Sequence, residues 1–261
     1  MTFYNNIDPV LISAGPVEMR WYGLLFATGI LLNYLLLQWV FKREKYPLEH
    51  LESLAVYLFF GLVIGARLGE VLFYTPGYFL ENPIEILQIW KGGLSSHGAT
   101  IGLFLAYFIW CRVHKVKFSK YTDALILGVP ITAAFVRIGN FFNSEIVGKV
   151  TDGFGVVFQR NAESVARHPV QLYEAALSIV IFGGLFWLYK NYYKKTPPMT
   201  FMFAFLVAYF GGRFGLEFFK DLHGPLPESF PISIGQLLSI LPFLAGVAFF
   251  VFFYPKLKKK R

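Results

Sequence analysis

Apolar stretches follow one another along almost the whole chain, separated by short segments rich in charge, glycine and proline. Seven are recognised, at about residues 20–41, 51–74, 94–112, 121–142, 169–190, 199–219 and 232–254. Each approaches or exceeds the roughly 20 residues that a helix needs to cross a bilayer. Helix is the expected conformation, because each backbone polar group in a membrane must find a partner within the protein. The pattern predicts an all-α, polytopic integral membrane protein with about seven transmembrane helices.

The composition supports this interpretation. The 261 residues are 56% hydrophobic and 19% aromatic, and 15% are charged, whereas soluble domains carry about 25% charge. The single cysteine, Cys111, excludes a disulfide framework and a cysteine-based metal site. The first apolar run lacks a preceding basic segment, so no cleavable signal peptide is predicted.

Most of the 24 lysines and arginines fall in alternate segments between the apolar stretches. These segments contain Lys42, Arg43 and Lys45; Arg112, Lys115, Lys117 and Lys120; Lys190, Lys194 and Lys195; and the tail from Lys256 to Arg261. Basic residues collect on the cytoplasmic side of membrane proteins. The pattern predicts an outside N-terminus and a cytoplasmic C-terminus, and it attributes the net charge of +8 to membrane orientation rather than to nucleic-acid binding.

Polar residues inside the predicted spans share one depth. Three are arginines, namely Arg67, Arg137 and Arg213. At 1.5 Å per helical residue they lie about 21–24 Å from the cytoplasmic edge of a core roughly 30 Å thick. Tyr22, His97 and Glu174 lie near the outer ends of helices that enter from outside. Charges at membrane depth are costly and usually functional, so these groups predict one site that opens outward.

The densest polar cluster is at residues 137–148, where Arg137 is followed by Asn140, Asn143 and Glu145. An alternative is that Arg137 snorkels to the headgroups, which accounts for the arginine but not for its neighbours. A guanidinium binds two phosphate oxygens at once and stays charged. A phosphate at headgroup depth belongs to a phospholipid, so the cluster predicts a phospholipid site on the outer face.

Other spacings have more than one interpretation. Tyr209, Arg213 and Glu217 recur every four residues on one helix face, so Glu217 either neutralises Arg213 or takes a direct part in catalysis. The same alternatives hold for Arg67 and Glu70. The segment 143–168 is expected to form an outer cap on a single transmembrane domain spanning 1–261.

Glycines at four-residue spacing, Gly61, Gly65 and Gly69, predict close helix packing. The histidines His97 and His168 lack the neighbouring carboxylates of a metal site, so no metal is predicted, and no motif indicates a cofactor.

The stretch Arg137-Ile-Gly-Asn140-Phe-Phe-Asn143-Ser-Glu145-Ile-Val-Gly148 resembles the signature of bacterial phosphatidylglycerol–prolipoprotein diacylglyceryl transferases. Further stretches resemble the family in the same order, namely Arg20-Trp-Tyr22-Gly, Gly65-Ala-Arg67-Leu-Gly, Gly92-Gly-Leu-Ser-Ser-His97-Gly, His168-Pro-Val-Gln171-Leu-Tyr173-Glu174, Tyr209-x-x-x-Arg213 with Glu217, and Ile234-Gly235-Gln236. Two positions depart from the family pattern: Val170 stands where a serine is expected, and Lys91 where an acidic residue is usual.

The resemblance implies a multi-pass enzyme of the bacterial inner membrane. Such an enzyme transfers the diacylglyceryl group of phosphatidylglycerol to the lipobox cysteine of a prolipoprotein that still carries its signal peptide. The products are a thioether-linked lipid and glycerol 1-phosphate, and no cofactor takes part. By motif position, Arg137 matches the arginine that binds phosphatidylglycerol. Further positions that activity requires are matched by Tyr22, His97, Asn140, Gly148, Tyr209 and Arg213, with Arg67, Asn143, Glu145, Glu174 and Glu217 as supporting residues.

The mechanistic hypothesis is that Arg137 and Arg213 hold the phosphodiester and stabilise the charge on the departing glycerol phosphate. His97 is the candidate base for the thiol, and its alternative role is to hydrogen-bond the adjacent loop. Tyr22 and Tyr209 position the headgroup or relay a proton.

Two other classes of protein also gather charge in a membrane. A transporter or flippase for an anionic lipid would do so, but it is expected to show broken helices or inverted repeats, which the sequence lacks. A non-enzymatic scaffold for partner helices leaves the common depth of the charges unexplained.

Overall fold

The computed structural model describes residues 2–15, 17–162, 164–221 and 232–259, so Glu163 and the tail residues Lys260 and Arg261 lie outside it. Helices make up most of these ranges, namely α1 (Trp21–Arg43), α2 (Leu48–Gly69), α3 (Pro76–Glu81), α4 (Ser96–Val113), α5 (Thr122–Phe142), α6 (Val170–Tyr192), α7 (Thr200–Leu216), α8 (Ile234–Ala248) and α9 (Tyr254–Lys259). The strands are β1 (Thr2–Asn5), β2 (Val10–Ala14), β3 (Val17–Arg20) and β4 (Gly155–Phe158). The all-α class is confirmed, and the short strands fall outside the apolar stretches.

Six helices among the described residues are long and apolar enough to cross a membrane. They are Trp21–Arg43, Leu48–Tyr74, Thr122–Phe142, Val170–Lys195, Thr200–Phe219 and Ile234–Lys259. Each coincides with a predicted span, which confirms a polytopic membrane protein. The other predicted span, 94–112, forms α4, an 18-residue helix whose first turn carries the polar residues Ser96 and His97.

Helix starts follow local sequence signals. Helix α2 begins directly after Pro47, and Ser95 caps α4 by accepting a hydrogen bond from the Gly98 amide at 3.1 Å. Helix α8 begins with a capping box, in which the side chains of Ser233 and Gln236 each accept a bond from the other residue's backbone amide. These caps satisfy amides that a helix leaves unpaired at its first turn.

The chain forms two compact units, and the smaller comprises Gln38–Tyr121. Within it, α2 packs along α4. A Cβ at Gly65 would lie 2.5 Å from the carbonyl oxygen of Gly98, and one at Gly69 would lie 2.6 Å from the Gly98 Cα. The two backbones therefore touch, which confirms the packing role predicted for the four-residue glycine spacing.

The larger unit comprises Met1–Leu37 and Thr122–Arg261, and in it α5 packs on α6 and α7 packs on α8. Asp123, in the first turn of α5, is buried. Its Oδ1 accepts hydrogen bonds from the amides of Phe201 and Met202, both at 3.0 Å. Because these amides belong to the first turn of α7, one carboxylate from α5 satisfies the start of another helix.

Short strands connect the N-terminus to the segment 143–168. Strand β1 pairs in parallel with β4, from Thr2 opposite Gly155 to Asn5 opposite Phe158. Asn5 also donates from Nδ2 to the carbonyl of Phe141 at 2.9 Å. The antiparallel pair of β2 and β3 leads directly into α1. The segment that follows α5 is thus held by pairing rather than by apolar burial alone.

Replacing Asp123 by alanine is expected to lower the stability of the larger unit. Two amides of α7 would lose their acceptor, at a cost of about 1–3 kcal/mol for buried groups left unsatisfied. Thermal unfolding in detergent measures the change, with Asp152→Ala as the control because Asp152 is exposed. Equal midpoints for the two variants would contradict the capping role.

Candidate active site

The signature segment starts on α5, where Arg137 faces a carboxylate of α6. Nε of Arg137 lies 2.8 Å from Oε2 of Glu174, and their side chains are 15% and 6% exposed. Buried charges are tolerated in proteins when they are paired. The arginine that the sequence placed at membrane depth is therefore fixed by an ion pair with the next helix.

The same carboxylate binds a second cation. Oε1 of Glu174 lies 2.8 Å from Nζ of Lys220, and that Nζ lies 3.2 Å from Oε2 of Glu217. Lys220 and Glu217 are also buried. Two cations and two carboxylates thus alternate in one network, Arg137–Glu174–Lys220–Glu217, which we call the ion-pair chain. Its formal charges cancel, as a buried network requires.

Amide side chains extend the network from Arg137 in the other direction. Nη1 of Arg137 donates to Oδ1 of Asn140 at 3.4 Å, a spacing of one helical turn. Nδ2 of Asn140 donates to Oε2 of Glu145, and Nδ2 of Asn143 donates to Oε1 of Glu145, both at 3.1 Å. The structure thus brings together four of the residues that the signature segment predicted for the site.

One edge of the Arg137 guanidinium remains available. Nε faces Glu174 and Nη1 contacts Asn140, whereas Nη2 has no hydrogen bond or ion pair among the described residues. A guanidinium held on two sides needs little reorganisation to bind an anion on the third. The geometry suits recognition of a phosphate oxygen.

Tyr22 of α1 lies beside the same turn of α5. A Cβ at Gly139 would lie 2.9 Å from Cδ2 of the Tyr22 ring, so the glycine makes room for the aromatic side chain. The ring is half-buried, and within the described ranges its hydroxyl has no hydrogen-bond partner. The Tyr22 ring therefore packs against Gly139, next to Asn140, and its hydroxyl is available for another partner.

Gly148 marks a point where backbones come close. A Cβ there would lie 2.5 Å from the carbonyl oxygen of His168 and 2.6 Å from that of Phe219. Its amide donates to His168 at 3.0 Å, and it forms an isolated bridge with Lys220. Only glycine allows this close approach. The bridge to Gly148 in turn positions the backbone of Lys220, whose side chain belongs to the ion-pair chain.

The other predicted arginine of this unit, Arg213, lies in the last turn of α7. Its guanidinium is half-buried and forms no ion pair within the part of the chain that the structure describes. Of the two alternatives for Glu217, pairing with Arg213 is not seen among the described residues. Because α7 ends at Leu216, Glu217 begins a 3-10 turn, and its carboxylate reaches Lys220 instead.

Tyr209, one turn before Arg213, stacks on Phe205 with ring centroids 5.1 Å apart. Its hydroxyl makes no hydrogen bond to the described residues. Tyr209 and Arg213 thus lie on the same helix, and neither contacts a residue of the ion-pair chain. The Tyr209 hydroxyl and the Arg213 guanidinium are therefore available for a ligand.

Arg67 belongs to the smaller unit and is buried there. Instead of pairing with Glu70, which the i,i+3 spacing allowed, it donates to backbone carbonyls of the segment that follows α3. These carbonyls belong to Glu85, Ile86 (2.9 Å), Gly92 (2.7 Å) and Gly93 (2.9 Å). Its guanidinium also lies 4.7 Å from the Phe79 ring centroid. Arg67 therefore orders this segment, and its guanidinium nitrogens are all engaged in hydrogen bonds to backbone carbonyls.

Helix α3 and the segment after it contain a small polar cluster. Oε2 of Glu85 accepts from the Tyr78 hydroxyl at 2.6 Å, and Oε1 lies 2.7 Å from Nζ of Lys91. The bonds from Lys91 and Tyr78 hold the pKa of Glu85 below its usual value. The bond to Glu85 raises the pKa of Tyr78. Lys91, which departs from the family pattern, thus has a partner in Glu85.

His97 is also part of the smaller unit, at the exposed start of α4. Its Nδ1 lies 2.8 Å from the hydroxyl of Tyr74, at the end of the π-helical turn that follows α2. No described residue contacts Nε2 by hydrogen bond. Because a tyrosine hydroxyl can donate or accept, this contact orients the His97 ring and is compatible with either tautomer.

Sequence reasoning gave no site role to three residues of these networks, namely Lys220, Tyr74 and Gln171, although Gln171 stands in one of the stretches that resemble the family. Lys220 lies between two predicted spans, and its i,i+3 spacing from Glu217 is the one sequence signal of this pair. Gln171, fully buried, donates from Nε2 to the Glu145 carbonyl at 2.5 Å. Tyr74 left no signal, because its contact with His97 depends on how α2 packs on α4.

The fold and the ion-pair chain define a polytopic membrane protein with a half-buried, partly anchored arginine that suits a phosphate. Comparison with known proteins identifies the family. The family model for prolipoprotein diacylglyceryl transferase matches residues 9–252. The chain therefore belongs to the prolipoprotein diacylglyceryl transferase family, which confirms the resemblance inferred from its motifs, and it is a transferase.

Individual relatives that carry the name phosphatidylglycerol–prolipoprotein diacylglyceryl transferase cover nearly the whole chain, as three of them illustrate. The relative from Tolumonas auensis is 46% identical over 93% of this chain and 94% of its own length. One from Bacteroides fragilis is 40% identical over 97% and 95%. One from Dechloromonas aromatica is 37% identical over 98% and 99%.

Lys220→Ala is expected to destabilise the protein and to impair transfer. The change leaves the buried carboxylates of Glu174 and Glu217 without their shared cation, and breaking a buried pair costs about 3–5 kcal/mol. Thermal unfolding in detergent and initial transfer rates measure the two effects. Lys220→Arg keeps the charge and is expected to recover most of both.

The matched control for this substitution is Lys149→Ala, because Lys149 is exposed on the neighbouring segment. A Lys220→Ala protein as stable and active as this control would show that the ion-pair chain is dispensable.

Proposed function

We propose that this chain transfers the sn-1,2-diacylglyceryl group of phosphatidylglycerol to the lipobox cysteine of a prolipoprotein, the first step of lipoprotein maturation. In this reaction the bond between the diacylglyceryl carbon and the phosphate oxygen breaks as the carbon–sulfur bond forms. The electron pair leaves with glycerol 1-phosphate, and the thiol proton passes to a base. Membership of the transferase family supports the reaction, and the partly anchored Arg137 is the observation that supports its site.

Arg137 binds the phosphodiester with its free Nη2 edge, while Glu174 and Asn140 hold the rest of the guanidinium. Negative charge grows on the departing phosphate, and fixed cations stabilise charge that develops in a transition state. Arg213, which has no ion pair among the described residues, supplies a second cation. Asn140, Asn143 and Glu145 keep the Arg137 turn in place.

The acceptor must be ionised to attack carbon, and a free thiol has a pKa near 8.5. We assign the base role to His97, with Nδ1–H donating to Tyr74 so that Nε2 is the basic nitrogen. The hydroxyls of Tyr22 and Tyr209 contact the headgroup. Wild-type turnover by His97→Gln would exclude the base role.

The protein belongs in the bacterial inner membrane, as one transmembrane domain with seven spans, an outer N-terminus and a cytoplasmic C-terminus. The basic segments between helices support this orientation. The segment 143–168 acts as an outer cap over the phospholipid. Phosphatidylglycerol, the signal peptide of the prolipoprotein and membrane lipids are its partners, and the chemistry needs no cofactor or metal.

Purified protein in detergent, supplied with phosphatidylglycerol and a synthetic prolipoprotein peptide, tests both the reaction and the role of Arg137. The expected result is a diacylglyceryl mass gain on the peptide cysteine, with release of glycerol phosphate. Arg137→Lys is expected to lower kcat by about 100-fold, because a single ammonium cannot replace the fork that contacts Glu174, Asn140 and phosphate together.

Arg160→Lys serves as the control, since Arg160 is exposed on the outer segment. Normal turnover by Arg137→Lys would refute the role of the guanidinium. Lipid that binds without any change in peptide mass would favour a transporter over a transferase.

A further inference from the structure

The smaller unit carries an apolar groove along the exposed surface of the α2–α4 helix pair, with a volume of about 620 Å³. Its floor consists of glycine backbone where the two helices touch. Its walls are large side chains about half exposed, namely Phe60, Ile64 and Leu68 of α2 and Ile101, Leu105 and Ile109 of α4. We call this feature the α2–α4 groove.

The groove is long enough for a helix. Its lining residues on α2 and the π-helical turn that follows run from Val56 to beyond Leu72, which is about 24 Å at 1.5 Å per residue. Glycine at the floor lets another backbone approach closely, which is the usual way in which helices associate within a membrane. A single apolar helix therefore fits both the length and the cross-section.

The two ends of the groove differ in chemistry. Glu52 lies one helical turn before Val56 on the same α2 row as the wall residues, and Glu49 is one turn earlier still. Both carboxylates are exposed, and neither forms an ion pair within the described ranges. At the other end, the lining residues Leu72 and Phe73 lead directly to Tyr74 and its exposed partner His97.

Basic side chains are also present near the acidic end. Lys115 and Lys117 are exposed in the segment after α4, and Arg112 lies over the ring of Phe108, 5.6 Å from its centroid. None of them lines the groove. Glu49 and Glu52 do not line the groove either, but Glu52 lies one helical turn before the lining residue Val56 on the same row of α2. It is therefore the described charge in register with the groove wall at this end.

A bacterial signal peptide matches these features in the same order. It has a basic first region, an apolar region of about 7–15 residues and then the small residues of the processing site. As a helix, 15 residues span about 22 Å. We propose that the α2–α4 groove binds the signal peptide of the prolipoprotein, with its basic region at Glu49 and Glu52 and its cysteine at the His97 end. The proposal rests on the proposed function, which supplies the substrate.

A phospholipid acyl chain would also fit the apolar walls, but its anionic headgroup gains nothing from the carboxylates. The signal peptide gains from both parts of the groove: its apolar helix buries the walls, and its cations meet Glu49 and Glu52. Binding there also delivers the cysteine to the end of the groove that carries the histidine.

A charge exchange tests the acidic end. Glu52→Lys is expected to raise the KM for a full signal peptide by about fivefold with kcat unchanged, a typical effect for one charge at the rim of an interface. A peptide with glutamates in place of its basic residues is expected to show the opposite preference, binding the variant better than the wild type. Glu81→Lys is the control, because Glu81 is exposed and lies outside the groove.

A short peptide that carries only the lipobox separates this proposal from the proposed function. Wild-type protein that modifies neither peptide would refute the transferase function. Wild-type protein that modifies both peptides, together with a Glu52→Lys variant that has the wild-type KM for each full peptide, would refute the groove proposal alone.

Photocross-linking locates the occupant without relying on charge. A benzophenone amino acid at Ile64 is expected to capture the apolar region of the full signal peptide, whereas one at Phe104 is not. Phe104 is exposed on the same helix pair but does not line the groove. Capture of phospholipid only, or of a second copy of this chain, would overturn the assignment.

Discussion

The structure of the candidate site depends on one carboxylate, that of Glu174. It lies 2.8 Å from Arg137 and 2.8 Å from Lys220, and all three side chains are largely shielded from solvent. Burying any one of these charges alone would be strongly unfavourable. Because Arg137 belongs to α5, Glu174 to α6 and Lys220 to the segment after α7, the carboxylate joins three parts of the larger unit. The packing of these three parts therefore depends on the ion pairs of Glu174, and the ion pairs form only when the three parts are packed together.

The same pairing prepares Arg137 for an anion without neutralising it fully. Glu174 and Asn140 orient the guanidinium, and Lys220 takes a share of the carboxylate's negative charge. Fixed donors of this kind stabilise developing charge at little cost in reorganisation. Glu217 contributes by holding Lys220 rather than by neutralising Arg213, so Arg213 also keeps its charge. In the proposed function, these two guanidiniums are the groups that act on the phosphodiester.

The features predicted correctly from sequence are those that local pattern determines. Long apolar runs predict the helices, and the 137–148 segment brings Arg137, Asn140 and Glu145 together within one and a half turns and a tight loop. Contacts between distant segments could not be predicted. Lys220 reaches Glu174 only because of helix packing, and Arg67, predicted as part of a shared site, uses its donors on carbonyls of its own unit. Spacing identifies polar residues at one depth, but it does not identify their partners.

The central claim is that the Glu174 carboxylate acts on catalysis by holding Arg137. A double-mutant cycle measures this directly, using kcat/KM for diacylglyceryl transfer in the wild type, Glu174→Gln, Arg137→Lys and the double variant. The expected result is strong non-additivity, with a coupling of about 1–3 kcal/mol, because Glu174→Gln has little left to disturb once the guanidinium is gone. Losses that simply add would contradict the claim, and would mean that the two residues contribute independently.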